Sequence, residues 1–471
     1  MVKVLISIAI LVFSASQMQA QLLEPQGPVP TRQQLQWHEM EFYLFIHFGP
    51  NTFTDAEWGH GKEDPNSFNP TEMDCRQWAR IARDAGAKGI ILTAKHHDGF
   101  SLWPSKQSKH TVKQSSWKNG KGNVVKELSA ACKEYGLKMG VYISPWDRNH
   151  PSYGTEKYNK VYLRTMKELL KGYGPLFELW WDGANGEGPN GKKQQYDFPR
   201  FEKAVRKWAP NTLIFSDIGP DIRWVGNERG IAAETNWNLL DTAGFKRGLG
   251  APPVDTLQQG NIYGKNWIPA ECDVSIRPGW FYHKKEDSMV KSGDQLLNLY
   301  MKSVGRGATF LLNVPPDRRG LFHPNDSAAL MDFKAKKDSL FNNNIAVRGD
   351  IIVSGSRPGY LPQVLNDNSR TSHWAPPTGQ KNVTIELDLR QQRKFNTLVL
   401  QEYIELGQRI KKFTVEVFND GEFREISSGT TVGFKRIIQF PTQTASRMRV
   451  IIKDSKEVPV LSEIALYNSE E

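Results

Sequence analysis

The sequence predicts an α/β protein of two domains, a (β/α)8 TIM-like barrel followed by an all-β sandwich. The chain has 471 residues, which is more than one ordinary domain requires. From about residue 42 to 342, short apolar runs alternate with amphipathic stretches, the pattern of repeated β-α units around a parallel sheet. After residue 349 the pattern changes to short strands separated by turns, such as NDG at 419–421. We therefore assign residues 21–348 to the barrel domain and residues 349–471 to the sandwich.

The barrel strands are predicted from eight apolar runs, at residues 42–48, 89–94, 138–144, 176–181, 213–216, 231–234, 268–271 and 308–314. Between several of these strands, apolar residues recur at helical spacing, which predicts helices at residues 74–85, 124–135, 157–173 and 198–207. A last helix is predicted over 326–342. Such barrels place their chemistry at the C-terminal ends of the strands. The polar residues that end these strands are therefore the candidate site.

The second domain is predicted from six runs rich in Val, Ile, Phe and Thr, at residues 384–389, 397–402, 412–418, 436–440, 447–452 and 463–467. These residue types suit a pleated, half-buried surface. The pattern favours a β-sandwich.

Charge and cysteine usage narrow the class of protein. The formal net charge is +10, but the Lys and Arg residues are scattered along the chain and form no basic arm, so we expect no nucleic-acid partner. Cys75, Cys132 and Cys272 are odd in number and too widely spaced for a zinc or disulfide framework. We expect them to be buried thiols.

Residues 1–20 have the features of a secretory signal peptide. Lys3 precedes an apolar stretch at 4–13, and small and polar residues lead to Ala20. The apolar stretch is too short to cross a bilayer, and no other segment is long enough. We expect an exported protein without a membrane span, in the periplasm, on the cell surface or outside the cell.

Histidines end the first two predicted strands. His47 lies in FIHFG, and His96, His97 and Asp98 lie in AKHHDGF. Two interpretations compete, a metal site and a set of hydrogen-bonding groups for sugar hydroxyls. The sequence contains no HxH or HExxH spacing, and a catalytic metal site usually needs three convergent ligands. We therefore favour sugar binding and expect neither a metal nor another cofactor.

The fourth predicted strand ends in a carboxylate, Asp182 of ELWWDG. An Asp fixed at the end of a barrel strand can attack a glycosidic carbon and later leave it. The same residue before Gly183 can equally be a helix cap or turn residue. From the residues alone, the two roles are evenly balanced.

The motifs FIHFG, EWG, AKHHDGF, GVYISPWD and ELWWDGANG, in this order, resemble the α-L-fucosidases of glycoside hydrolase family 29. The resemblance covers the whole barrel and implies a retaining, exo-acting enzyme with Asp182 as its nucleophile. Its substrate would be a fucosylated oligosaccharide or glycoconjugate. The resemblance also implies substrate-binding roles for His47, Glu57, Trp58, His96, His97, Tyr142, Trp180 and Trp280.

The general acid/base varies in position within this family, and the resemblance assigns it to Glu228 of RWVGNERG. This segment is similar to the branch that acts on α-1,3- and α-1,4-linked fucose of Lewis-type glycans. Partial burial near the charge of Asp182 would raise the pKa of Glu228, as an acid catalyst requires. Glu234 and Glu271 satisfy the same spacing argument and remain alternatives.

The segment TLVLQEYIELGQRIKKFTVEVFNDGEF is similar to discoidin, or F5/8 type C, modules, which are carbohydrate-binding-module-like domains. A sandwich of this kind can bind glycan or can support the barrel, and the fold does not decide between them. Two other functions stay open for the chain. A metal-dependent hydrolase would use His47, His96, His97 and Asp98, and a non-catalytic protein would bind fucose without cleaving it.

Overall fold

The computed structural model describes residues 22–469, and it confirms the predicted barrel and the all-β second domain. The predicted signal peptide lies outside the described residues. Within residues 22–469, no helix combines the length and apolar character that a membrane crossing requires. Cys75, Cys132 and Cys272 are free and buried, as the sequence predicted.

The first domain is built around a closed parallel barrel with the strand order β1-β10-β9-β6-β5-β4-β3-β2. β7 and β8 form an antiparallel pair outside it. The strands are β1 (Phe42–Ile46), β2 (Gly89–Lys95), β3 (Lys138–Ile143), β4 (Glu178–Trp180), β5 (Leu213–Ser216), β6 (Ile222–Trp224), β7 (Leu239–Leu240), β8 (Asn266–Trp267), β9 (Ala270–Ser275) and β10 (Thr309–Asn313). Nearly every barrel-strand residue is buried, which explains their apolar runs.

Helices surround the barrel and bury their apolar faces against it. They are α1 (Arg32–His38), α2 (Pro50–Thr54), α3 (Cys75–Asp84), α4 (Val124–Glu134), α5 (Glu156–Gly172), α6 (Phe198–Trp208), α7 (Val254–Gln259), α8 (Gly293–Ser303) and α9 (Pro324–Leu340). Side chains cap the first turns of two of them: Asp74 accepts from the Arg76 amide before α3, and Asn123 accepts from the Lys126 amide before α4.

The predicted sixth barrel strand, residues 231–234, is wrong. The sixth strand is β6, and residues 231–234 lie in the loop that follows it. β6 is short and contains Arg223, which is fully buried and donates to the carbonyl oxygens of Leu257 at 2.8 Å and Trp237 at 3.0 Å. Because a charged residue interrupts its apolar run, a search for apolar runs passes over this strand.

The second domain is an antiparallel sheet with the order β11-β12-β15-β13-β14, and β16 also pairs with β12. Its strands are β11 (Asp350–Val353), β12 (Val383–Glu402), β13 (Ile410–Asn419), β14 (Glu422–Gly429), β15 (Arg436–Ser455) and β16 (Leu461–Tyr467). β12 and β15 each join two runs that the sequence predicts as separate strands. Their pairing shifts register between Asp388 and Arg393, where a polar stretch hides the continuity.

The two domains meet at the segment that follows the β6 loop. The Gln408 amide donates to the Asn236 carbonyl at 2.9 Å and accepts from the Asn238 amide at 2.8 Å. Thr431 also accepts from the Asn236 amide at 2.9 Å. An apolar cluster from both domains packs beside these bonds and includes Leu239, Trp267, Ile404 and Phe434. The second domain therefore holds residues 236–239 of the barrel domain in place.

Candidate active site

A pocket of about 190 Å³ opens at the C-terminal ends of the barrel strands. It brings together all ten residues that the sequence indicates as catalytic or substrate-binding. The complete lining is Phe45, His47, Glu57, Trp58, His96, His97, Tyr142, Trp180, Asp182, Ala184, Glu228, Asp273 and Trp280. These residues come from different strand ends, so the barrel itself creates the site.

Asp182 follows β4 and is held by two hydrogen bonds. The Tyr142 hydroxyl donates to Oδ2 at 2.9 Å, and the Ala184 amide donates to Oδ1 at 2.7 Å. Burial raises the pKa of Tyr142 well above its ordinary value, so its hydroxyl remains a donor. The Asp182 side chain is 22% exposed and His97 Nε2 lies 3.9 Å from Oδ2. The carboxylate is thus oriented but still accessible from the pocket.

Trp180 forms one wall of the pocket and is fixed from beneath. Its ring stacks on Phe215 at a centroid distance of 4.0 Å, and its indole nitrogen donates to Glu271 Oε1 at 2.8 Å. Glu271 is fully buried below the pocket, where Tyr43 also donates to it and Glu178 lies beside it. Burial raises the pKa of both carboxyls. Glu271 therefore supports Trp180 and does not face the pocket.

The three histidines are buried and uncharged. Burial lowers the pKa of His47 to about 3 and places the pKa of His96 and His97 below the ordinary value. The His96 ring lies between the others, with centroid distances of 5.6 Å to His47 and 4.1 Å to His97. Neutral imidazoles can accept and donate single hydrogen bonds, which suits sugar hydroxyls.

Asp98 does not join these histidines in the pocket. Its Oδ1 accepts from the Phe100 amide at 2.6 Å, and the side chain is buried. Among residues 22–469, no group of three or more His, Cys, Asp or Glu side chains is arranged to hold a metal ion. The Asp98 carboxyl that the metal-dependent alternative would use therefore lies outside the pocket that the three histidines line.

Glu228 lies in the loop after β6, at the rim of the pocket. The indole nitrogen of Trp280 donates to its Oε2 at 3.1 Å. The expected partial burial is wrong, because Glu228 is exposed where the pocket opens to solvent. Trp280 is itself anchored through Glu57, which accepts from its amide at 2.9 Å and contacts His283 Nε2 at 2.6 Å. The rim is therefore one connected arrangement.

Glu234, the other alternative for the acid/base, does not line the pocket. Its side chain is 66% exposed and pairs with Arg306 and, at 2.8 Å, with Arg436 of the second domain. It takes part in the contact between the domains. Of the three carboxyls considered for the acid/base, only Glu228 lines the pocket.

Asp273 lines the pocket and was missed by the sequence analysis. It is 4% exposed, and Trp224 donates to its Oδ1 at 2.9 Å. Burial, and then the charge of Glu228, raise its pKa well above the ordinary value. The strand was predicted to end at residue 271, two residues before Asp273 and four before the observed end of β9.

Comparison with known proteins gives the family. A family model described as alpha-L-fucosidase matches residues 11–335. The chain belongs to the α-L-fucosidase family. A second model, described as an F5/8 type C domain, matches residues 350–464, so the family's catalytic domain is followed here by an F5/8-type module.

Relatives of this α-L-fucosidase match over nearly the whole chain. Alpha-L-fucosidase 1 of Arabidopsis thaliana is 44% identical, over 94% of this chain and 88% of the plant protein. The crystal structure of SpGH29 superposes with a TM-score of 0.89 at 38% identity, over 95% of this chain and all of that one. A Ruminococcus gnavus family 29 fucosidase in complex with fucose gives a TM-score of 0.87 at 31% identity, over 95% and 96% of the two chains. The protein is accordingly a glycoside hydrolase of family 29.

Burial in this α-L-fucosidase makes several carboxyls hard to ionise. It raises the pKa of Asp98 to about 7, of Glu402 to about 6 and of Glu463 to about 8. The unfolded chain gives up these protons near pH 4, so it binds fewer protons than the folded chain above that pH, and stability falls as pH rises. For the buried histidines the unfolded chain binds more protons below about pH 6.5, so stability falls as pH drops.

We therefore expect thermal stability to be greatest at about pH 5 to 6 and lower at pH 4 and pH 8. Differential scanning calorimetry across this range measures it. Glu463→Gln, which removes the titrating group, is expected to flatten the fall of Tm between pH 6 and pH 8. A Tm that is higher at pH 8 than at pH 6 would contradict the raised pKa of these buried carboxyls.

Proposed function

We propose that the protein is a retaining exo-α-L-fucosidase that removes terminal α-1,3- and α-1,4-linked fucose from Lewis-type glycans. The observation that carries the proposal is that Asp182, just after β4, and Glu228, in the loop after β6, line one pocket with three uncharged imidazoles. Two carboxyls that share a sugar-sized pocket are what glycoside hydrolysis requires.

In the first step, Asp182 attacks the anomeric carbon of fucose. An Asp182 oxygen forms a bond to this carbon while the bond to the leaving oxygen breaks, and Glu228 gives its proton to that oxygen. In the second step, a water oxygen attacks the same carbon, Glu228 accepts the proton of the water, and Asp182 leaves. Two inversions give overall retention.

The walls of the pocket support an exo mode of action. Tyr142, Trp180 and the buried layer below them close the bottom, so a chain cannot pass through. The opening lies where Trp58, 61% exposed, and Glu228 reach solvent. A terminal sugar would enter, and the remainder of the glycan would lie at the rim beside Glu228. The Ruminococcus gnavus relative in complex with fucose is consistent with a fucose-sized pocket.

The linkage preference rests on the resemblance of the Glu228 segment to the α-1,3/1,4 branch. If a neighbouring galactose contacts the rim, its binding can help to orient the reacting bond. We expect kcat/KM for Lewis-type trisaccharides to exceed that for 2'-fucosyllactose and for an aryl fucoside by about tenfold or more. Initial-rate kinetics with the purified protein measures these values. NMR of the same reaction identifies the fucose anomer that is released first.

Comparable kcat/KM values for the aryl fucoside and the Lewis trisaccharide would contradict the linkage preference. Inverted fucose as the first product would contradict the retaining mechanism. Binding of fucosides without release of fucose would favour the non-catalytic alternative. Export remains a prediction that rests on residues 1–20 alone.

A further inference from the structure

Asn313, at the end of β10, is a fully buried amide that contacts the pocket wall on two sides. Its Oδ1 lies 3.1 Å from the backbone nitrogen and 2.9 Å from the Nδ1 of His47. Its Nδ2 lies 2.8 Å from the carbonyl oxygen of Trp280 and 2.9 Å from Ser275 Oγ. All four hydrogen-bonding positions of the amide are therefore used.

Two of these contacts fix the direction of all the others. A backbone N–H can only donate and a carbonyl oxygen can only accept, so the oxygen of Asn313 faces His47 and its nitrogen faces Trp280. The Nδ1 of His47, which faces the same oxygen, must then carry a proton. Because His47 is neutral, its Nε2 has a free lone pair.

His97 is fixed in the same way by a different residue. The Ser144 hydroxyl donates its single proton to the carbonyl oxygen of Trp146 at 2.8 Å. Its oxygen can therefore only accept from His97 Nδ1, which lies at 2.8 Å. The Nε2 of His97 is then also without a proton, and it is the atom that lies 3.9 Å from Asp182.

We propose that Asn313 and Ser144 are positioning residues that hold His47 and His97 in the Nδ1–H tautomer, so that both present an Nε2 acceptor to substrate hydroxyls. The substrate contact rests on the function proposed above, whereas the tautomers follow from the geometry of the protein alone. The pocket therefore selects hydroxyl groups that donate toward these two rings. The opposite tautomer would place an N–H against each hydroxyl proton and leave Asn313 Oδ1 or Ser144 Oγ facing a lone pair.

The surroundings of His47 keep this arrangement free of competing charge. The titratable groups that face it are His96 and His97 beyond β2 and Tyr142 on β3, with centroid distances of 5.6 Å to His96 and 6.1 Å to Tyr142. Trp280 and Phe281 cover the ring at 5.0 Å and 5.4 Å. Within residues 22–469 no carboxylate contacts Nδ1, so the Asn313 amide decides which nitrogen is protonated.

The tautomers can be measured directly in the protein without substrate. Long-range ¹H–¹⁵N correlation spectra of the ¹⁵N-histidine-labelled protein distinguish Nδ1–H, Nε2–H and charged rings, and His47→Gln and His97→Gln identify the signals. We expect both residues to show the neutral Nδ1–H pattern at pH 6 to 7. An Nε2–H pattern for either one overturns the proposal, whether or not the protein hydrolyses fucosides.

Two variants then test the positioning role. Asn313→Leu and Ser144→Ala remove the acceptor for one ring each, so the His47 and His97 signals, respectively, should move toward the Nε2–H tautomer. KM for a Lewis trisaccharide should rise about tenfold, as expected for one weakened hydrogen bond to substrate. Asn396→Leu, at a similarly buried amide on β12 of the second domain, is the control and should change neither the tautomers nor KM.

A structural role alone would lower Tm in all three variants while the remaining folded protein kept its histidine tautomers. Unchanged tautomers, or unchanged KM after a tautomer shift, would each refute the positioning role. If Asn313→Leu does not fold, Ser144→Ala and the spectrum of the unaltered protein still decide the question. If the unaltered protein does not hydrolyse fucosides, the proposed function is wrong, but the tautomer assignment is unaffected.

Discussion

Replacement of Asp182 by asparagine is expected to lower kcat for fucoside hydrolysis by about 10³-fold or more. The amide keeps the shape of the carboxylate and can still accept from Tyr142, but it is not an anionic nucleophile. Circular dichroism should match that of the unaltered enzyme and Tm should fall only slightly, because the amide oxygen replaces just one of the two acceptors that Tyr142 and the Ala184 amide use. Steady-state kinetics with an aryl fucoside measures the effect.

Asp217→Asn provides a matched control for this variant. Burial, and then the nearby charge of Asp182, raise the pKa of Asp217 to about 6, but Asp217 does not line the pocket. We expect kcat to change by less than about tenfold, because only the electrostatic environment of Asp182 changes. Near-normal turnover by Asp182→Asn, or an equal loss in both variants, would reject Asp182 as the nucleophile.

Glu228→Ala is expected to reduce fucose release from a sugar leaving group by about 10²- to 10⁴-fold. A strongly basic leaving oxygen needs a proton, whereas 2-chloro-4-nitrophenol leaves without one. The variant should therefore still form the fucosyl-enzyme from the activated aryl fucoside and then stall, since no base activates the water. Azide needs no base and should accelerate this second step. The product would be the fucosyl azide with retained configuration, as after any two displacements at the same carbon.

The remaining carboxyls supply the comparison. Glu234→Ala loses an ion pair between the domains and Glu271→Ala loses the support of Trp180, so neither should respond to azide. Azide rescue of one of these two, with no rescue of Glu228→Ala, would move the acid/base assignment to that residue. The α-L-fucosidase assignment would be unaffected.

The sequence predicted those site residues that come directly after an apolar run, because such a run marks the end of a barrel strand. His47, His96, His97 and Asp182 each follow an apolar run, so their convergence at one barrel face could be predicted. Where a polar residue lies inside a strand, this signal fails. β6 was missed because Arg223 interrupts its apolar run. The carbonyl oxygens that allow this charged side chain to be buried come from residues distant in sequence, so the sequence does not indicate its burial.

Asp273 and Asn313 illustrate a second limit. Both lie within buried strands. Asp273 lines the pocket and Asn313 contacts His47 only because the closed barrel brings residues from other strands beside them. The exposure of Glu228 likewise depends on the path of its loop. Hydrophobic pattern predicted the architecture, whereas these contacts depend on packing between segments far apart in the chain.

The contact between the domains also limits which modules could replace the second domain of this enzyme. The loop that carries Glu228 continues into residues 236–239, which the second domain holds through Gln408 and Thr431. One of the two proposed reacting carboxyls therefore lies on a loop whose far end is fixed by a separate fold. An F5/8-type module from another protein could not be substituted as an interchangeable cassette unless it reproduced these two anchors.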